Sequence, residues 1–279
     1  MNSSQLAARR FTHQTTRFNL VNALRCAQAA ELAYQSKKTV YTKLKKSWCF
    51  DRCQYFEKGD TQAFLAISSN FLLLSFRGTQ SFLDWQTNLN IRLVKFSIGK
   101  VHRGFRFGFH RVWKSLKEAL VEFNKQKRRI WVTGHSLGGA LATLTADQLS
   151  ALNMDVGGLY TFGQPRVGDR NFAKQFDQKI KHRSWRFVNN EDVVTHLPPS
   201  QIGFRHIGTV RYFDHQGRLH RNNLKWKSFL DAINSAASRS LEYYKEFQRQ
   251  YPNSMEDHHI KKNMSSQEKT LTFKKYINR

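Results

Sequence analysis

The sequence predicts an α/β fold in which a mostly parallel sheet is covered by helices on both faces. Short apolar strands alternate with helical stretches along the chain, and 40% of the 279 residues are hydrophobic. The 22 Phe and 6 Trp argue against disorder. Strands that alternate with helices form parallel sheets, and a chain of this length can bury a sizeable core in one domain.

The individual elements follow from hydrophobic spacing. Residues 17–36 place apolar side chains at helical intervals and predict the first helix. The apolar runs 63–68 and 71–76 flank a short polar turn and predict a β-hairpin. A Lys-rich helix follows around 112–123. The later elements are predicted strands at 129–133, 159–162, 185–188 and 210–213, and predicted helices at 140–149, 171–180 and 226–247.

The chain organisation predicts one domain over residues 1–260 and a basic polar tail at 261–279. The first twenty residues lack the apolar core of a signal peptide, and no stretch approaches the roughly 20 apolar residues of a spanning helix. We therefore expect a cytoplasmic or peripheral membrane protein, with export by a signal-independent route left open. The three cysteines show no Cys-x2-Cys pair, and we expect free thiols and no metal site.

The formal net charge of +26 is high for a soluble enzyme. Residues 95–129 contain eleven Lys or Arg against two Glu. Such a surface favours anionic partners, and peripheral contact with an anionic membrane is as plausible as a merely solvated surface. We expect no nucleic-acid partner, because no recognisable nucleic-acid module accompanies the charge.

Gly134-His135-Ser136-Leu137-Gly138 lies between a predicted strand and a predicted helix. A serine on such a sharp turn stands clear of the backbone, and the glycines two positions either side give the turn its room. The following helix directs its amide dipoles at a developing oxyanion. We therefore predict that Ser136 is a nucleophile. His135 points elsewhere on this turn, and a packing or hydrogen-bonding role is expected for it.

Five blocks of sequence resemble the fungal-type (class 3) lipases, and they occur in the order of that family over roughly residues 60–260. They are Ser75–Ser81, His102-Arg103-Gly104 with its neighbours, Gly134–Ala142, Thr161–Asp169 and Asn190–Pro199. The resemblance implies an α/β-hydrolase fold with a short lid over the active site. It also implies hydrolysis of lipid esters without a metal or other cofactor.

The acid of the catalytic triad is expected after Ser136, because α/β-hydrolases order the triad Ser, Asp, His along the chain. Asp192 follows a predicted strand, and it matches the acid of the family in its block. The competitors are Asp169, Glu191 and Asp177; Asp169 lies where it could cap a helix.

The base is harder to assign, since six histidines follow Asp192. His196 is too close to Asp192, and His206 lies near a predicted strand. His258 resembles the late Asp-His segment of the family and is our preferred base, with His215 and His259 as its rivals. It would take the proton from Ser136 and deliver it to the leaving alcohol.

Two backbone amides are predicted to form the oxyanion hole. One belongs to Leu137, the residue after the nucleophile. The resemblance assigns the other to Thr79, which follows Arg-Gly. The same resemblance places a lid at residues 82–90, with a lipid-facing apolar set formed by Phe82, Leu83 and Trp85.

These features together predict a serine lipase or esterase that hydrolyses acylglycerols or phospholipids through an acyl-enzyme on Ser136. The alternative is a non-catalytic lipid- or membrane-binding protein that retains the fold. The unsettled histidine keeps that alternative open, because without a base the serine would not be activated.

Overall fold

The computed structural model describes residues 11–79, 91–189, 192–214 and 218–220. Its helices are α1 (Leu20–Leu32), α2 (Lys37–Thr42), α3 (Arg103–Phe123), α4 (Leu137–Ala151) and α5 (Arg170–Ile180). Its strands are β1 (Arg52–Lys58), β2 (Thr61–Ile67), β3 (Phe71–Phe76), β4 (Leu93–Lys95), β5 (Lys100–His102), β6 (Arg129–His135), β7 (Val156–Phe162), β8 (Ser184–Asn189), β9 (Thr209–Phe213) and β10 (Leu219–His220). A π-helical turn (Lys43–Ser47) and three 3-10 turns (Lys181–Arg183, Val193–His196, Ser200–Ile202) complete the described elements.

Eight strands form the main sheet in the order β1-β2-β3-β6-β7-β8-β9-β10, and β4 pairs with β5 in a small separate sheet. The central pairings, from β3 to β9, are parallel. The hairpins β1-β2-β3 and β9-β10 are antiparallel. All carboxyl ends of the parallel strands therefore meet at one edge, where ligand sites of open α/β sheets form.

The sheet is buried on both faces, as its nearly continuous apolar strands require. On one face α3, α4 and α5 pack over Leu72, Leu74 and Val132. On the other face α1 packs over Leu73 and Trp131. Alternate residues of β3 thus serve opposite cores, as the period of a strand dictates. The mostly parallel, doubly covered sheet predicted from the sequence is confirmed.

Some element boundaries differ from the sequence prediction. Helix α3 begins at Arg103, nine residues before the predicted start, and its first turns bury Gly104 and Gly108. Gly108 lies against α4: a Cβ there would be 3.4 Å from the Leu141 side chain. Strand β1 was not predicted. The predicted helix at 226–247 and the tail lie outside the described residues. Among the helices that the structure does describe, none is long and apolar enough to cross a membrane.

The cysteine prediction agrees with the structure, in which Cys26, Cys49 and Cys53 are free thiols. Burial raises the pKa of the Cys26 thiol well above its usual range and that of Cys53 to about 12. Neither thiol is therefore activated as a nucleophile at neutral pH.

Candidate active site

Ser136 lies at the turn between β6 and α4, with φ 54° and ψ −126°. A positive φ in a serine costs about 1–3 kcal/mol and persists only where the surroundings enforce it. The two flanking glycines make the turn possible. A Cβ on Gly134 would lie 2.3 Å from the Gly138 carbonyl, and one on Gly138 would lie 2.4 Å from the Phe76 oxygen. The strand–turn–helix predicted from the motif is present.

The backbone around Ser136 is held from both sides. Its amide donates to the Phe162 carbonyl at the end of β7, and its own carbonyl accepts the Gly139 amide, both at 2.9 Å. Ser136 is 5% exposed. Its side chain therefore sits at the amino end of α4, where free helical amides favour negative charge.

The segment that follows β3 lies directly beside this turn. Strand β3 is parallel to β6, with Phe76 in register with Gly134. The contact of Phe76 with Gly138 carries the backbone of Arg77 across the first turn of α4. Thr79 follows two residues later. The amides of Thr79 and Leu137 thus belong to adjoining segments, and their oxyanion role stays a prediction.

Asp192 follows β8, two strands from β6 in the sheet, at the same edge as Ser136. Its carboxylate accepts the Val194 amide at 3.1 Å, and its own amide donates to the Asn189 carbonyl at 2.9 Å. The carboxylate is thus held at the start of a 3-10 turn. The competing Asp169 caps α5 by accepting the Phe172 amide at 2.8 Å, as its position in the sequence indicated.

Buried Arg166 holds the loop after Asp192. Its guanidinium donates to the carbonyls of His196 and, at 2.9 Å, Pro198, while its backbone amide donates to the Leu197 carbonyl at 2.7 Å. Burial, with a smaller effect from Arg205, lowers its pKa to about 10, so it stays charged at neutral pH. The sequence shows Arg166 only as part of the Thr161–Asp169 block, whereas in the structure its donors hold the loop after Asp192.

The electrostatics disfavour His196 and His206 as the base. Burial lowers the pKa of both imidazoles, and the guanidiniums of Arg166 and Arg186 lower it further. Burial also lowers the pKa of Arg186 to about 9, which leaves it charged at neutral pH. A triad histidine must accept a proton during catalysis, and neighbouring cations oppose that.

A further Asp-His pair lies at the same edge of the sheet. The His220 Nε2 is 2.8 Å from the Asp214 carboxylate, to which Arg218 also donates at 2.9 Å. These partners, His220 first, hold the pKa of Asp214 below its usual range. Asp214 follows β9, which lies three strands from β6, the strand that leads to Ser136. At the usual strand spacing this separation is about 14 Å. The pair therefore lies too far from Ser136 to act on it, and its hydrogen bonds instead link the end of β9 to β10.

His135 has the hydrogen-bonding role expected for it. Burial lowers its pKa to about 4, so the ring is neutral at neutral pH. Its Nδ1 lies 2.9 Å from the hydroxyl of Tyr34, a residue that sequence reasoning did not single out. The two residues are 101 positions apart in the chain, and no local pattern links them.

Several predicted site residues lie outside the described residues. These are the preferred base and its two rivals, and the apolar set of the lid: His258, His215, His259, Phe82, Leu83 and Trp85. Their assignments stay predictions.

The fold and the turn at Ser136 define the class: the chain has the α/β-hydrolase fold. The family model for class 3 lipases matches residues 73–202, which include the candidate oxyanion loop, the turn at Ser136 and Asp192. Over these residues the chain is similar to the class 3, fungal-type lipases.

Two known proteins similar to the chain are named as lipases. A lipase of Rhizomucor miehei is 39% identical over 164 residues, which are 53% of this chain and 44% of that protein. A secreted mono- and diacylglycerol lipase of Malassezia globosa is 35% identical over 44% of this chain and 42% of its own length. The chain thus spans less than half the length of these curated relatives.

A solved structure agrees with the fold. It is that of a triacylglycerol lipase whose catalytic centre is formed by a serine-protease triad. It aligns with a TM-score of 0.54 and 26% identity over 74% of this chain and 82% of that one.

Proposed function

We propose that the protein hydrolyses carboxylic ester bonds of lipids, acylglycerols or phospholipids, through an acyl-enzyme on Ser136. The observation that carries the proposal is the turn at Ser136, whose positive φ is maintained between two glycines that no larger residue could replace. Strain of this kind is retained where it serves a site. The names of the relatives support acylglycerols as one substrate class.

In the proposed reaction the Ser136 oxygen attacks the ester carbonyl carbon while its proton passes to His258. The carbonyl oxygen becomes an oxyanion and accepts the amides of Leu137 and Thr79. Asp192 stabilises the imidazolium. The imidazolium then gives its proton to the leaving alcohol as the carbon–oxygen bond breaks. Water, deprotonated by the same histidine, cleaves the acyl-enzyme and releases the fatty acid.

The first experiment measures hydrolysis of p-nitrophenyl esters, a diacylglycerol and phosphatidylglycerol by the purified chain. Ser136→Ala and His258→Ala are expected to lower kcat by about 10⁴-fold or more. A fluorophosphonate should label the wild type and not Ser136→Ala. A wild type that hydrolyses none of these esters and takes no label would instead favour the non-catalytic lipid-binding alternative.

Matched variants test each partner of Ser136. Asp192→Asn is compared with Asp169→Asn, because each carboxylate caps a helical turn through a backbone amide. Only Asp192→Asn should remove most of the activity. Full activity in His258→Ala together with loss in His215→Ala or His259→Ala would reassign the base.

We further propose that the site approaches its substrate across an anionic lipid surface. Helix α3 packs on the sheet and leads into β6, so the two run in opposite directions. The first turns of α3 therefore lie at the edge that carries Ser136, as the approach of Gly108 to α4 also indicates. Phe107, in these turns, is 59% exposed.

Four exposed cations form what we call the basic rim: Lys95, Lys100, Arg103 and Arg106. Lys95 is directly paired with Lys100 across the β4–β5 ladder, an arrangement that like charges destabilise. In the described part of the chain no ion pair involves any of the four. An anionic surface would supply the missing countercharge, and the exposed Phe107 would contact its apolar layer.

Vesicle co-sedimentation tests this surface. The protein should bind vesicles of phosphatidylcholine with phosphatidylglycerol, bind pure phosphatidylcholine weakly, and lose binding at high salt. The rim variant combines Lys100→Gln, Arg103→Gln and Arg106→Gln. The control variant also removes three exposed cations, by Lys37→Gln, Lys38→Gln and Lys45→Gln. At about 1 kcal/mol per cation near the surface, the rim variant should bind about 100-fold more weakly. An equal loss in both variants would contradict the rim proposal.

A further inference from the structure

Tyr34 lies two residues beyond α1 and touches both segments of the candidate oxyanion hole. Its hydroxyl is 2.9 Å from Nδ1 of His135, the residue before the nucleophile. It also lies against Gly78, the residue before Thr79, whose backbone lowers the pKa of the phenol. A Cβ on Gly78 would lie 2.2 Å from this hydroxyl and 2.6 Å from the His135 carbonyl oxygen. One phenol oxygen therefore joins the two segments.

The Tyr34 hydroxyl and the His135 ring form their hydrogen bond as two neutral groups. Burial raises the pKa of Tyr34 above its usual range and lowers that of His135 to about 4. At neutral pH the phenol keeps its proton and the imidazole is neutral. The two neutral groups share this hydrogen bond, and the tautomer of His135 sets which of them donates.

The helix that carries Tyr34 is itself attached to the strands behind these segments. The Ser75 hydroxyl on β3 donates to the Ala29 carbonyl at 3.0 Å, and the Thr133 hydroxyl on β6 donates to the Cys26 carbonyl at 3.1 Å. All four residues belong to elements that the sheet holds in place. Tyr34 therefore follows a helix that is hydrogen-bonded to both strands, and it contacts the segments beyond the ends of those strands.

A second contact holds the loop on the other side of Tyr34. The Arg77 guanidinium lies 5.7 Å from the centre of the Tyr34 ring, and the Arg77 amide donates to the Gln62 carbonyl at 3.0 Å. The segment between β3 and Thr79 is therefore held by the ring, by the hydroxyl and by β2.

We propose that Tyr34 is a positioning residue of the oxyanion hole, which fixes the distance between the Thr79 amide and the turn at Ser136. The inference rests on the proposed ester hydrolysis. An oxyanion donor contributes about 10²–10³ in kcat, and a misplacement of about 1 Å can cost about 100-fold. A hydroxyl that joins the two segments therefore acts on kcat without touching the substrate.

Tyr34→Phe tests the proposal, because it removes one oxygen and keeps the ring under Arg77. Tyr41→Phe is the control, because Tyr41 lies beside Arg52 and Cys53 at the start of β1, away from the catalytic edge. We expect Tyr34→Phe to lower kcat by about 10–100-fold, with KM changed by no more than about twofold. Fluorophosphonate labelling of Ser136 should slow in proportion, and the control should match the wild type.

Amide hydrogen exchange supplies a readout independent of activity. In Tyr34→Phe the segment 77–79 should exchange faster than in the wild type, while Tyr41→Phe leaves it unchanged. Unchanged kcat, a raised KM at constant kcat, or unchanged exchange in this segment would overturn the proposal. If the wild type hydrolyses no ester, the proposed function fails, and the exchange measurement still decides whether Tyr34 holds the loop.

Discussion

Ser75 and Thr133 are directly paired across the parallel strands β3 and β6, and both hydroxyls donate to carbonyls of α1. One strand leads to the candidate oxyanion loop and the other to Ser136. Their shared attachment to one helix couples the positions of the two segments. Buried hydroxyls whose hydrogen bonds are all formed fix one relative position of the segments that they join. Apolar contacts alone define that position less strictly.

Removing these hydroxyls should lower stability. Ser75→Ala and Thr133→Val each delete a buried hydrogen bond, and we expect a loss of about 1 kcal/mol in the free energy of unfolding for each. Urea unfolding followed by fluorescence measures it. Ser115→Ala is the control, because the Ser115 hydroxyl donates to a carbonyl within its own helix near the surface. A control as destabilised as the two variants would argue against a special role for the pair.

The two glycines of the elbow should not tolerate alanine. Gly134→Ala and Gly138→Ala place a Cβ within 2.4 Å of backbone atoms, so the backbone must shift. We expect both to lose most ester hydrolysis and more than about 2 kcal/mol of stability. Gly108→Ala, where the nearest atoms are 3.4 Å away, should change stability by less than about 1 kcal/mol. Activity and urea unfolding are measured on all three, and an active Gly134→Ala would contradict the proposed geometry.

Arg166 should matter for activity through the loop that follows Asp192. Arg166→Lys keeps the charge, but its single ammonium does not reproduce the planar donors that span two carbonyls. We expect kcat/KM to fall about tenfold or more as the loop shifts. Arg205→Lys is the control, since exposed Arg205 also donates to two backbone carbonyls, those of Ser200 and Phe204. Equal activity of the two variants would refute the prediction.

His102 should make stability depend on pH. Burial lowers its pKa to about 4, against an ordinary value of 6.5, so the unfolded chain binds the proton more tightly. Its stabilising effect is complete above pH 6.5 and declines as the pH falls toward 4. Between pH 7 and pH 5 the loss is about 2 kcal/mol.

His102→Asn tests this dependence, because asparagine retains an acceptor for the Gly104 amide at the start of α3. The decline in unfolding free energy between pH 7 and pH 5, measured in urea, should be smaller than in the wild type by about 2 kcal/mol. His182→Asn, at an exposed position, should decline as the wild type does. If the unfolding free energy of His102→Asn falls between pH 7 and pH 5 as much as that of the wild type, the pH dependence does not come from His102.

The sequence located most elements because their signals are local. The hairpin over 63–76 and the helix capped by Asp169 have apolar periods and turn residues within a few positions. Helix α3 begins earlier than predicted, and its first turns include Gly108, which packs against Leu141 of α4; local spacing does not reveal that contact. Strand β1 carries mixed polarity at the edge of the sheet, and its pairing with β2 alone defines it.

What the sequence by itself determined is the turn at Ser136, since its requirements lie within five consecutive residues. The tertiary structure decided what supports that turn. Tyr34 meets His135 and Gly78 only because the parallel register of β3 and β6 brings both strand ends beside α1. Register depends on pairings between residues far apart in the chain, whereas steric demands of a tight turn are carried by the residues that form it.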